Sequence, residues 1–225
     1  MRTLKVLGLA LVAALTIGST AAADELTAET YPVAISGVSE ERGFVFTSQA
    51  GQTFCYEGSY AATSSGPSTS LTVTPTYPEK TKSGGVNCGL KGVPGAVVDL
   101  NGCDYLLTIS GAGSTSGTAR IHCPAGSEIT YTASLFGIPG CTIHVPDQTF
   151  PPGSVTYANV GAGTTREVTA SVNSGASVKY TQTPGMGAAK CTAWIGENGS
   201  LTAKMILKAT QESTGSHAGL FLSGS

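Results

Sequence analysis

The sequence predicts an all-β protein: an antiparallel β-sandwich, Ig-like or Greek-key in type, stapled by three disulfides. Three observations predict it. Of 225 residues, 30 are Gly, 30 Thr and 24 Ser, whereas charged residues are 12% and aromatics 7%; coiled coils and helical bundles need Glu, Lys, Leu and Ala in quantity. Short segments alternating apolar and polar residues recur roughly every 8–14 residues between Gly, Pro, Ser and Asn, the pattern of many short strands. Six Cys, an even number, stand behind an export leader, which reads as a disulfide framework. A formal net charge of -2 excludes a strongly basic nucleic-acid binder, and 40% hydrophobic residues exclude disorder.

The leader comes first. Arg2 and Lys5 precede an apolar run from Val6 to Gly18, too short to span a bilayer, and Ala21-Ala22-Ala23 fits a small-residue cleavage site. Residues 1–23 are therefore read as a secretory signal peptide. Asp24 becomes the mature N-terminus, and residues 24–225 form a single β-rich domain, with a division near Pro124 as the alternative. Losing Arg2 and Lys5 leaves 10 basic against 14 acidic residues, a charge of -4. The mature chain is expected to bind no nucleic acid and to carry no transmembrane anchor.

Strands are then expected at Thr30–Ser36, Gly43–Ser48, Thr53–Gly58, Ser70–Thr76, Ala96–Leu100 and Cys103–Ser110. Gly58–Thr69 reads as a Ser/Thr/Gly loop. Tyr77–Gly95 reads as a long loop tied down by Cys88. Further strands follow at Thr118–Cys123, Glu128–Ser134, Cys141–Val145, Val155–Ala158, Arg166–Val172, Val178–Thr183, Lys190–Trp194, Leu201–Thr210 and His217–Leu222. Leu201, Ala203, Met205, Leu207 and Ala209 alternate with polar residues, so period two describes that segment better than a helix does.

One hairpin reads residue by residue. Folding about Gly113 sets Cys103 opposite Cys123, Tyr105 opposite Ile121 and Leu107 opposite Ala119 on one face. Asp104 then faces His122 on the other. A one-residue slip would expose every apolar side chain, so the register is well specified. Asn101-Gly102 is a type I′ turn pair that predicts Ala96–Leu100 folding back on the Cys103 strand. Asn173-Ser-Gly175 predicts a hairpin between Arg166–Val172 and Val178–Thr183. Cys103–Cys123 follows from the hairpin and leaves three pairings for the other four Cys. Cys55–Cys88 would tie the long loop, leaving Cys141–Cys191. Zinc ligation needs close Cys pairs, and none here lie within four residues of each other.

Chemistry is thin. The His residues are His122, His144 and His217, with Asp104 beside His122 across the hairpin and Asp147 near His144; the solvated cross-strand polar pair is the favoured reading. No Gly-x-Ser-x-Gly elbow, His-Glu-x-x-His motif, phosphate loop or dinucleotide fingerprint occurs. Asp99, Asn101 and Asp104 offer three oxygens in six residues but read as a turn with flanking Asp. Thr72, Thr74 and Thr76, and Thr130 with Thr132, read as solvated strand faces. No catalytic, metal or cofactor site is expected, and Cys55, Cys88, Cys103, Cys123, Cys141 and Cys191 are assigned to disulfides.

The strings Asn101-Gly-Cys-Asp-Tyr105, Cys123-Pro-Ala-Gly126, Cys141-Thr-Ile143 and Leu71-Thr-Val-Thr-Pro-Thr-Tyr77 resemble those of a group of secreted six-cysteine β-proteins of high-GC Gram-positive bacteria. The resemblance runs from about Ala34 to Leu222. It implies export and β-structure and carries no activity. The expectation is an exported, non-enzymatic extracellular or cell-surface β-protein with a structural, adhesive or binding role, whose partner is an extracellular ligand or cell-envelope component. The alternatives are a secreted hydrolase with a loop-assembled Ser/His/Asp site and a protease inhibitor presenting Tyr77–Gly95.

Overall fold

The computed structural model describes residues 24–223 except 50, 91–92, 111–114, 136–137, 176 and 186–193. Residues 1–23, where a signal peptide is expected, Cys191 and most of the strand expected at Lys190–Trp194 lie outside the described residues. Those described are strands, turns and one 3-10 turn at Gly163–Thr165. In chain order the strands are β1 (Leu26–Ala28), β2 (Val33–Ser48), β3 (Gly51–Cys55), β4 (Ser59–Ser64), β5 (Ser70–Thr76) and β6 (Cys88–Leu90). Next come β7 (Val93–Pro94), β8 (Ala96–Asp99), β9 (Asp104–Ile109), β10 (Ser116–His122), β11 (Glu128–Leu135) and β12 (Ile138–Pro146). The rest are β13 (Gln148–Thr149), β14 (Val155–Val160), β15 (Glu167–Asn173), β16 (Val178–Pro184), β17 (Trp194–Gln211) and β18 (Leu220–Leu222).

The protein is all-β, but its centre is a barrel rather than the expected sandwich. Strands β2, β4, β5, β9, β10, β14, β15 and β17 pair antiparallel in that order, and β17 pairs back onto β2. The physical reason is the reach of β17. Its register with β2 runs from Ser200↔Thr47 to Gln211↔Val33, and this closure removes the free edges that two facing sheets would keep. The eight strands follow one another along the chain as a meander, not a Greek key.

A second sheet is built on the same two long strands. The first residues of β17 pair with β16, then β12, β11 and β8 follow; the last residues of β2 pair with β3, then β6 and β7. Two segments read as separate strands, Thr30–Ser36 and Gly43–Ser48, are thus the two ends of β2. Between them the register with β17 shifts. The strand folds so tightly that a Cβ on Gly43 would lie 1.8 Å from that of Ser39. Only glycine fits there.

Two expected hairpins are corrected by this topology. Asn101 (φ 49°) and Gly102 (φ 79°) do make a tight turn, and the Cys103 N–H donates to the Leu100 carbonyl at 2.8 Å. Yet β8 leaves it to pair with β11, not β9. Likewise β15 and β16 do not pair with each other; each takes β17, one in the barrel and one in the second sheet. Both turns serve as crossings between sheets. β4 was expected to be loop.

Inward positions form one core. Phe44 and Phe46 of β2, Leu107 of β9, Ile121 of β10, Ile129 of β11, and Met205 and Leu207 of β17 are all essentially inaccessible. Phe44 packs on Tyr77 and Tyr131, and Phe46 on Tyr131 and Tyr180, with centroids 5.2–5.6 Å apart, joining barrel to second sheet. The buried hydroxyls of Tyr60, Tyr77 and Tyr105 hydrogen-bond in a chain that begins at Ser39 Oγ. Burial raises the pKa of all three phenols, so they stay neutral donors and acceptors to one another. The ribbon of β1 and β18, paired Leu26↔Leu222 to Ala28↔Leu220, lays Leu26, Leu220 and Leu222 over one barrel end.

Cys55–Cys88 and Cys103–Cys123 are bonded as expected, and each pair sits directly opposite or flanks its strands with Cα atoms 4.1 Å apart. Cys141 is also disulfide-bonded. Among the described residues no helix is long and apolar enough to cross a membrane.

Candidate functional site

Three arrangements bring polar groups together. The first gathers Arg120, His122 and Asp147. Strand β13 pairs with β10 (Arg120↔Thr149), which brings Asp147 alongside. Its carboxylate accepts Arg120 Nε at 2.9 Å and Nη2 at 3.0 Å, His122 Nδ1 at 3.2 Å and the Cys123 N–H at 3.1 Å. Partial burial opposes its charge, but the Cys123 N–H, Arg120 and His122 outweigh it and lower its pKa. Asp104 does stand opposite His122 in register, as expected. However, its carboxylate accepts the Thr74 hydroxyl at 2.7 Å, on the β5 side.

The second arrangement centres on His144, where the expected partner Asp147 is replaced by Glu128 from the neighbouring strand. His144 Nδ1 lies 2.6 Å from Glu128 Oε1, and Nε2 lies 3.1 Å from Thr183 Oγ1. A carboxylate only accepts, so Nδ1 carries the proton and Nε2 is free to accept from the hydroxyl. That is the acid–imidazole–hydroxyl order of nucleophilic hydrolases. Its setting differs, because all three residues lie on the outer face of the second sheet. Thr183 Oγ1 is also 3.4 Å from the Thr142 carbonyl, a competing acceptor for its single proton. His217 sits apart, exposed on the return between β17 and β18, where Thr210 bridges it.

The third arrangement is a cleft that sequence reasoning missed. The ladder between β4 and β5 holds only Ser59↔Thr76, Tyr60↔Pro75 and Ala61↔Thr74. Beyond that the two strands diverge around an opening of about 670 Å³. Residues from both faces line it: outward Thr63, Thr72 and Thr74, and inward Ala62, Ser64 and Leu71. Inward residues can line an outer cleft only where the wall is parted. The Gly58 carbonyl accepts Ser39 N–H and the Thr69 carbonyl accepts Ile109 N–H, so by alternation the main chains of Thr63 and Thr72 face the opening. A second short seam, β10–β14, is bridged: the Ala119 N–H donates to Ser154 Oγ and Phe150 N–H to the Ala119 carbonyl. No bridge of that kind spans β4 and β5 among the described residues.

The remaining sequence candidates resolve into structure. Asp99 accepts the Asn101 N–H and Asn101 Nδ2 donates to the Glu128 carbonyl, so the three oxygens expected near that turn do not converge. Among the described residues no cluster of His, Cys, Asp and Glu could hold a metal ion. The Tyr77–Gly95 segment, expected to be one long loop, is a braced turn that runs into β6 and β7. Buried Asn87 holds the Glu57 N–H, the Glu57 carbonyl and the Pro78 carbonyl, while the Lys82 N–H donates to the Glu57 carboxylate. It therefore presents a tight tip instead of the extended strand a protease cleft takes. The only sequence signal for the β4–β5 cleft was the Ser-Ser-Gly-Pro-Ser run, which read as a surface loop. No family model, curated protein or solved structure matches the chain.

Proposed function

We propose that the protein is exported after cleavage behind Ala23 and acts outside the cell as a disulfide-stapled β-barrel that binds a ligand and catalyses no reaction. The observation that carries this reading is the parted β4–β5 wall. Its volume lies in the range of ligand sites, roughly 300–1,000 Å³. Its lining is hydroxyls, main chain and small apolar groups with no ionisable side chain. Such a site can hold a neutral partner and offers no acid, base or nucleophile activated by one. The partner is an extracellular ligand or cell-envelope component, and a third bridge, Cys141–Cys191, completes the framework. The resemblance to secreted six-cysteine β-proteins supports the compartment.

The test is amide-shift mapping of the mature chain with two neutral probes, the N-acetylglucosamine trimer and tetra-alanine blocked as its N-acetyl methylamide. The expected result is saturable movement of Thr63, Ser65 and Thr72 amides that Ala62→Trp abolishes. Movement confined to other surfaces would overturn the assignment of the site. A second reading, hydrolysis, is favoured by the Glu128–His144–Thr183 geometry alone. It predicts p-nitrophenyl acetate turnover that His144→Ala removes; turnover equal in the two proteins would exclude it.

A further inference from the structure

Directly inside the parted wall lies a small void lined by Leu26, Leu71, Leu107, Ile109, Tyr157 and Leu207, with Ser70 at its edge. Ser70 and Leu71 belong to both the outer cleft and this void. The Leu71 side chain is thus the partition between them. The void has about 10 Å³ of free volume, the least that holds one water, and a buried water needs two to four polar partners. The Tyr157 hydroxyl donates to the Thr108 carbonyl at 3.1 Å, and apart from it and Ser70 at the edge the lining is aliphatic, so the void is apolar space. Its roof is Leu26 of β1, in a ribbon of three pairs held to the cleft rim by the reciprocal Leu26–Ser68 main-chain bonds at 2.8 and 3.1 Å. The ribbon is docked on the barrel, with Leu26, Leu220 and Leu222 buried, the Leu220 N–H donating to the Arg166 carbonyl and the Leu222 N–H to Asn159 Oδ1.

We infer that the cleft and the void form one binding site for a small uncharged amphiphile. Its hydrogen-bonding head rests among Thr63, Ser64, Ser68 and Thr72, and its apolar tail passes Leu71 into the barrel beneath the β1–β18 ribbon. This rests on the binding function proposed above and names the ligand class. Eight-stranded antiparallel barrels have an interior of the width that side chains fill or a single small ligand occupies. Neutrality of the head follows from the lining: no Lys, Arg, Asp or Glu reaches either space. A charged head would lose hydration with no counter-charge to replace it. Rotation of Leu71 merges the two spaces and gives up the place of its own side chain to the tail.

The experiment uses 1-octanol as the neutral probe and octanoate at pH 8 as its charged counterpart, with methyl and amide spectra of the mature chain. The expected result is saturable 1-octanol binding that moves the Leu26, Leu71, Leu107 and Leu207 methyls, with octanoate at least tenfold weaker. Ile109→Phe, which fills the void from a half-buried position, lowers affinity at least tenfold; Leu71→Ala raises it. The unmodified chain decides the matter whatever the variants do. If a neutral probe moves the Thr63 and Thr72 amides while 1-octanol leaves the four methyls unmoved, the amphiphile site is wrong and the binding function stands. If neither set moves with any probe, both fail. Equal binding of 1-octanol and octanoate refutes the neutral head.

Discussion

Two hairpins of the same barrel wall behave in opposite ways. The β9–β10 pair holds six registered positions from Ile109↔Gly117 to Asp104↔His122 and is closed at its base by Cys103–Cys123. Its inward positions are Tyr105, Leu107, Ala119 and Ile121, all buried. The β4–β5 pair holds three positions and has no bridge; past Tyr60 the inward positions of β4 are Ala62 and Ser64, only half-buried, although Leu71 and Val73 of β5 are buried. A ladder persists where each cross-strand contact buries apolar area, and it parts where the inward side chains are too small to hold it against solvent. One hairpin is wall; the other is an opening.

The sharpest test of that contrast is truncation. Leu107→Ala in β9 is expected to cost about 2–5 kcal/mol, as for other large-to-small changes in cores, whereas Thr72→Ala at the cleft stays within about 0.5 kcal/mol. Urea midpoints measure both; comparable losses would mean that the β4–β5 wall is as well packed as its counterpart. Next comes the staple. The double change Cys103→Ala with Cys123→Ala opens a 20-residue separation, for which chain entropy gives about 3 kcal/mol, and a melting temperature lower by roughly 6–12 °C follows for a chain of this size.

Adding volume should discriminate by sign. Ala119→Val, in the closed hairpin, overpacks a site 3% exposed and should cost about 1–3 kcal/mol. Ala62→Val, at the cleft, has room and gains β-propensity, so a stabilisation of some tenths of a kcal/mol is expected. The same sign for both in thermal melts would dissolve the distinction. A small effect is also expected at the base of the closed hairpin, where Asp147→Asn should cost some tenths of a kcal/mol, about 0.5 at most, at pH 7 because the cluster is partly exposed. The Asp147 pKa is lowered by folding, so its contribution is present above the unfolded value, about 3.9, and disappears as pH falls through the folded one. Wild type and variant should therefore converge in stability as pH falls below the unfolded value.

Sequence reading succeeded where apolar periodicity was strong. The Cys103–Cys123 hairpin was legible to the residue because large side chains alternate with polar ones and a slip would be costly. β5 was bounded correctly by Leu71, Val73 and the flanking turns. β4 was invisible because Ser59-Tyr-Ala-Ala-Thr-Ser64 carries its inward period on one Tyr and small residues, which read as loop. The acid partners of the two His were exchanged for a different reason. His122 takes Asp147 and His144 takes Glu128, contacts set by strand neighbours 25 and 16 residues away and by where Thr74 draws Asp104. Barrel closure was equally nonlocal. Nothing near Leu201–Thr210 announces that this strand must end against Val33.

That last pairing governs when the barrel can form. Val33 meets Gln211, and Phe46 meets Leu201, so the closing seam joins segments from opposite ends of the chain. Neither stretch can bury its apolar face until the other arrives, and the entropy of closing so long a loop is lost before the contacts that offset it are made. A polypeptide made from its N-terminus therefore cannot close the barrel until β17 emerges. Under the export proposed above, this ordering has a use: a chain that cannot close early stays threadable through an export channel, and folding would wait for the far side, where oxidation locks the hairpins in place.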